Sequence, residues 1–174
     1  RTIASSIDLR PYAQGDLSET FGSLLTYVPV TCPLEANNRL DLAQEAARQT
    51  RRIKDPERIP RYLVLPRLIG WKAARLHHTD GMKYFRKAAP ICATVANVNL
   101  NRSWLALYHS DPVREYIRVA SASPAMPVAV TATTLGNRFE LVVSAQSPGL
   151  PETQASELAD DFASGLRSLV QSRS

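Results

Sequence analysis

Residues 126–146 read MPVAVTATTL-GN-RFELVVSAQ. Two runs rich in β-branched residues flank Gly136-Asn137, a pair able to take the positive φ angles that a tight two-residue turn needs. The stretch predicts a β-hairpin. It decides the fold class, because it fixes a sheet in the second half of a chain whose middle reads as helix.

The period-two pattern extends upstream of the hairpin. APICATVANVNLN (89–101) is an almost continuous apolar run, the kind expected of a strand buried on both faces. WLALYH (104–109) reads as another short strand, and VREYIRVAS (113–121) alternates. Downstream, PETQASELADDFASGLRSLV (151–170) changes period. Ala155, Leu158, Phe162, Leu166 and Leu169 recur at spacings of three and four and predict one apolar helical stripe. Pro151 suits a first helical turn, and Glu152 complements the helix dipole.

The first half opens on a strand over residues 2–10 that stops at Arg10-Pro11, where proline disfavours helix before it and cannot donate to a ladder. SLLTYVPVTCPL (23–34) predicts a second strand, with Pro29 and Pro33 at edge or end positions. Asn37 and Asn38 precede RLDLAQEAARQTRRIKD (39–55), a helix expected to bury Leu40, Ala43, Ala46, Ala47 and Ile53. Pro60 and Pro66 are expected to divide ERIPRYLVLPRLIGWKAARLH (57–77) into short or kinked helices. Strand, strand, helices, strands with a hairpin, helix: the order predicts an α+β fold, a mixed β-sheet with helices packed on it, as one domain over residues 1–174.

The chain has 174 residues, 44% of them apolar and 21% charged, ordinary values for a globular domain. No apolar run approaches the length of a membrane span, and the expected compartment is the cytoplasm. Cys32 and Cys92 lie outside any Cys-x-x-Cys or Cys/His cluster and are read as thiols. Charge is uneven. From Arg48 to Lys87 twelve basic residues face three acidic ones, a local +9, while the remainder nets −4. A basic middle suits phosphate, whether of nucleic acid, lipid headgroups or a nucleotide-like molecule; it equally suits a solvated face of basic helices. Tyr62, Trp71, Tyr84 and Phe85 interleave with the basic residues, but several of them sit in apolar runs that read as core.

Motifs of self-contained catalysis are missing from the sequence. No Gly-rich phosphate loop, G-x-S-x-G elbow or H-E-x-x-H occurs, and no metal is expected. His77-His78-Thr79-Asp80-Gly81 is similar to the H-H-x-x-x-D-G motif of an acyltransferase superfamily, but one residue, not three, separates His78 from Asp80. The expected reading is a polar helix-to-loop junction, with no catalytic residue in this chain.

Elsewhere the chain resembles the C-terminal half of that superfamily, the chloramphenicol-acetyltransferase-like enzymes. These include peptide-synthetase condensation domains, alcohol O-acetyltransferases and polyketide-associated acyltransferases. Ile7, Asp8, Leu9, Arg10 and Pro11 match its opening strand pattern. Gly22 matches a Gly-Asn pair whose Asn is replaced by Ser23, and Asn97-Val98 matches the end of its buried strand, with Ala96 and Asn99 departing. The closing hairpin and amphipathic helix follow in the same order.

The resemblance implies a chain cut from a longer one, in which the N-terminal half supplies the catalytic His. It also implies that Arg10, for which the sequence shows no obvious carboxylate here, forms a structural ion pair with an Asp of that other half. Gly22, Ser23 and Asn97 would line a pocket between the halves. The implied reaction moves an acyl group from a coenzyme A or carrier-protein phosphopantetheine thioester to an acceptor hydroxyl, in lipid or secondary metabolism. The thioester is a substrate, and no cofactor is bound permanently. The expected partners are the N-terminal half and an acidic carrier protein, with no nucleic acid and no transmembrane segment. Two alternatives stay open: an amide-forming condensation-type half or inactive relative, and a basic module binding nucleic acid or membrane.

Overall fold

The structure, a computed structural model, describes residues 2–13, 15–17, 24–33, 38–101, 113, 115–123, 126–147 and 150–171. It is α+β, with strands of mixed direction and helices packed on them. The chain divides into two compact units, Arg1–Cys92 and Ala93–Ser174, and the division falls inside a strand.

In the first unit, β1 (Thr2–Asp8) and β2 (Leu25–Thr31) pair antiparallel, with Ala4 opposite Pro29 and Ile7 opposite Thr26. β2 alternates cleanly: Thr26, Val28 and Val30 are buried, while Leu25, Tyr27, Pro29 and Thr31 are exposed. Arg10–Tyr12 forms a single 3-10 turn after β1, with Pro11 in its first positions. The phenol of Tyr12 donates to the Lys54 carbonyl (3.1 Å), tying that turn to the end of the first helix.

That helix, α1 (Arg39–Ile53), begins where expected, and Asn38 caps it by accepting the Leu40 N–H at 2.9 Å. Its inward face differs from the expected one. Leu42, Glu45, Ala46, Gln49, Thr50 and Ile53 are buried or half-buried, whereas Ala43 and Ala47 are exposed. The reason is Gln49. Its amide donates to the Thr31 carbonyl (2.9 Å) and accepts the Thr31 N–H (3.0 Å), so a polar side chain turns inward to satisfy the end of β2.

α2 (Ile59–Ala73) is one helix, not two. Pro60 sits at its start, where a missing N–H costs nothing. Pro66 lies inside it, where it removes the donor that would reach the Tyr62 carbonyl and crowds that carbonyl with its ring. α3 (His78–Ala88) follows. α1 and α2 pack on β2, and α3 packs on α2. Ile7, Val28, Ile53 and Ile59 form the core, with Leu9, Tyr12 and Tyr62 packed against it. Burying each of these aliphatic side chains contributes about 1.5–3 kcal/mol.

β3 (Ile91–Asn99) opens in the first unit, where the Cys92 thiol donates to the Thr2 carbonyl. No disulfide joins it to Cys32. In the second unit β3 runs parallel to β4 (Val128–Leu135), which pairs antiparallel with β5 (Arg138–Ala145). The strand buried on both faces is β4, flanked by both neighbours: Ala129 through Thr133 and Leu135 are all buried. β3 does not meet that expectation. Thr94 is its one fully buried residue, and Asn97 and Asn99 end its opposite row in solvent.

The predicted hairpin forms, with Leu135 opposite Arg138. Gly136 alone takes a positive φ (+62°), and Asn137 does not, as in a turn that needs glycine only at its first central position. Asn101 clasps this turn by donating to the Gly136 carbonyl (3.1 Å) and accepting its N–H (2.6 Å).

Residues 115–121 form no strand, although their exposure alternates. They are held instead by Arg118, whose guanidinium donates to the Ala96 carbonyl of β3 (2.9 Å) and whose carbonyl accepts the Thr131 hydroxyl of β4. The expected strand at 104–109 lies outside the described residues. α4 (Glu152–Gln171) packs on β5 through Ala155, Ala159, Phe162, Leu166 and Leu169. Leu158 falls at the edge of that stripe and is exposed.

Candidate functional site

The turn between α1 and α2 is set by one carboxylate. Asp55 accepts the Glu57 N–H (3.1 Å), its carbonyl accepts the Arg58 N–H (2.9 Å), and its other oxygen lies 3.7 Å from the Arg58 guanidinium. Arg58 is thereby fixed at the head of α2. One turn further on, Arg61 is exposed and Tyr62 is half-buried against the core.

These side chains face the exposed row of β2. Tyr27, Pro29, Arg58, Arg61, Tyr62 and Pro66 line a cleft of about 300 Å³. That is the lower end of the range for small-molecule sites. Asp55 engages Arg58, and among the described residues Arg61 has no ion pair. Two guanidinium groups and two phenol rings on a wall stiffened by two prolines suit an anion, or a planar group carrying one. The polar groups of the lining are the two guanidinium groups and the two phenols.

A second, apolar recess of about 440 Å³ lies in the other unit between β5 and α4, lined by Phe139, Leu166, Arg167, Val170 and Gln171.

The residues singled out from sequence are dispersed. Arg10 has a carboxylate within this chain after all: its guanidinium meets Asp8 at 3.1 Å, and Asp8 also accepts its backbone N–H at 3.0 Å. The 3-10 turn folds Arg10 back over the strand end, a local geometry that no residue pattern announces. The pair is only partly sheltered, with side chains 28% and 47% exposed. Asn97 is exposed, lies opposite Ala132 of β4 and lines neither recess. Gly22 and Ser23 lie outside the described residues.

The His-His-x-Asp-Gly stretch begins a helix instead of ending one. His77 caps α3 without a side-chain bond, Asp80 stands in its first turn, and His77 through Asp80 are all exposed. Gly81 is the buried member of the stretch. A Cβ there would stand 2.7 Å from the Ala73 carbonyl, so the glycine serves the approach of α3 to α2. Among the described residues, no three of His, Cys, Asp and Glu converge as metal ligands, and no helix is long and apolar enough to cross a membrane.

Sequence reasoning missed the cleft because Tyr27 and Arg61 are far apart in the chain. Basic residues one helical turn apart beside prolines were the available signal. Trp71, in an apolar run of the sequence, is exposed, and the Arg75 guanidinium lies over its ring at 3.4 Å. No family model, curated protein or solved structure matches the chain.

Proposed function

We propose that this chain is the C-terminal half of an O-acyltransferase that acts on a coenzyme A or carrier-protein thioester, with the catalytic His supplied by an N-terminal half. The observation that carries the reading is the order of elements. A strand ending at Asp8, with Leu9-Arg10-Pro11 turning the chain out of it, is followed by a second strand and a helical block. A strand bearing Asn97-Val98, a Gly-Asn hairpin and an amphipathic helix complete it. That is the order the resemblance requires.

In this reading the chain contributes binding. Arg58 and Arg61 attract the phosphates of the donor, and the Tyr27 and Tyr62 rings offer a face to its planar base. The His of the other half takes the proton of the acceptor hydroxyl. The acceptor oxygen attacks the thioester carbonyl, and the thiolate leaves as the ester forms.

The test is thiol release from an acyl thioester in the presence of an alcohol. The polypeptide that includes the coding sequence upstream of Arg1 should release thiol, and replacing the second His of an upstream H-H-x-x-x-D-G motif should abolish it. Residues 1–174 alone should release none. An upstream sequence without that motif, or thiol release by residues 1–174 alone, would refute the assignment.

A further inference from the structure

α2 is apolar on two sides. Ile59, Tyr62, Ile69 and Ala73 form the side turned to the core and α3. At about 100° per residue, Val64, Leu68 and Trp71 fall together on the opposite side. They are 56%, 57% and 59% exposed, well beyond what a core-facing stripe would show. Arg67 borders this outer stripe on one flank, and Arg61 and Lys72 border it on the other. Arg75 stacks on Trp71 at its C-terminal end, and Lys72 lies 4.9 Å from the Tyr84 ring. No acidic residue occurs anywhere in Ile59–Ala73.

We propose that the outer face of α2 docks on an anionic lipid bilayer, with Val64, Leu68 and Trp71 entering the headgroup–acyl boundary and Arg61, Arg67, Lys72 and Arg75 meeting lipid phosphates. An apolar stripe with an indole, rimmed by cations on both sides, is the composition of helices that lie in a membrane interface. Indole prefers that depth, and long cationic side chains reach outward from it to the headgroups. Charge selects the occupant. A second copy of α2 would bring its cations against these, whereas an anionic leaflet complements all four, each adding about 1 kcal/mol near the surface. The inference does not rest on the acyl-transfer reading, and Arg61, at the rim shared with the cleft, is the one residue that both invoke.

The experiment is flotation of the full chain with lipid vesicles, joined to sedimentation velocity and Trp71 quenching without lipid. Vesicles containing about a third phosphatidylserine should carry the protein up, neutral phosphatidylcholine vesicles should not, and about 0.5 M salt should release it. Leu68→Asp with Trp71→Ser should reduce binding at least about tenfold. Both positions are exposed, and circular dichroism checks that the fold is kept. Arg67→Glu with Lys72→Glu should remove the preference for anionic vesicles. In a Trp104→Phe background, acrylamide should quench Trp71 freely until vesicles are added. Equal binding to neutral vesicles, or wild-type binding by the Leu68/Trp71 variant, would overturn the proposal. So would self-association that this variant abolishes, which would make the face a contact between copies. Trp71 shielded before lipid is added would equally mean that protein covers it.

Discussion

Asn101 holds the β4–β5 turn from outside it, with two hydrogen bonds to a single glycine. Gly136 is exposed and Asn101 half-buried, so each bond is worth the lower part of the usual range. Asn101→Ala should lower unfolding free energy by about 1 kcal/mol, and Asn101→Asp, which keeps the acceptor but not the donor, by less. Urea titration checks both. Arg10 allows a sharper separation. Its pair with Asp8 is half in solvent, so Arg10→Ala in residues 1–174 should cost less than about 1 kcal/mol. If an N-terminal half supplies a buried carboxylate to Arg10, the same substitution in the complete enzyme should cost about 3–5 kcal/mol. Equal losses in both settings would leave Arg10 with no role across halves. His78 is exposed at a helix start, so if the acyl-transfer proposal holds, His78→Ala should leave thiol release by the two halves together within a few-fold of wild type. A loss of about a hundredfold would restore it as a base.

Among the elements, α1 carries a polar relay. Glu45 accepts from Arg48 (2.6 and 2.7 Å) and from Gln49 (2.7 Å), the same Gln49 that bonds Thr31. The Arg48 hydrogen bonds, helped by Gln49, hold the Glu45 carboxyl down to about 2. A carboxyl lowered in the fold stabilises it above its ordinary value of 4.5, and that support fades as pH falls toward about 2. The Glu45 side-chain carbon signal should therefore titrate near 2, and Arg48→Ala should return it toward 4.5. The α2–α3 contact turns on Gly81. Gly81→Ala gains about 1 kcal/mol of helix propensity but drives a methyl into the Ala73 carbonyl, an overpacking cost of about 1–3 kcal/mol. The expected result is a net loss of about 1 kcal/mol by thermal melting. These elements also mark what could be read from sequence. The hairpin, α1 and α4 announce themselves because their pattern lies within one window. The Gly136-Asn137 pair signals its turn locally, before Asn101 clasps it, and Leu166 follows Phe162 by one turn. The inward faces were misread wherever a partner from elsewhere decides them. Gln49 turns in because Thr31 is there, and Trp71 faces out because the core side of α2 is already filled by Ile59 and Ile69. The cleft joins β2 to α2, a meeting that no window of sequence contains.

At the scale of the molecule, charge and architecture coincide. The +9 segment is the stretch that builds the helical block of the first unit, and it carries both the cleft and the outer face of α2. If the cleft holds the donor as proposed, Arg58→Glu with Arg61→Glu should weaken coenzyme A binding to the full chain by about tenfold or more at low salt, measured by calorimetry. Arg138→Glu, in the other unit, should not change it. β2 carries a different consequence. Val28 and its even-numbered neighbours direct their backbone groups toward β1, as the bond from the Leu9 N–H to the Leu24 carbonyl sets the phase, so the odd residues present theirs to the outer edge. At Pro29 that edge has no N–H to offer, and at Thr31 both groups are already taken by Gln49. An incoming strand from another molecule would find its first two rungs missing. The chain should therefore stay clear in concentrated solution. Pro29→Val with Gln49→Ala should turn it into a seed for fibres that bind thioflavin.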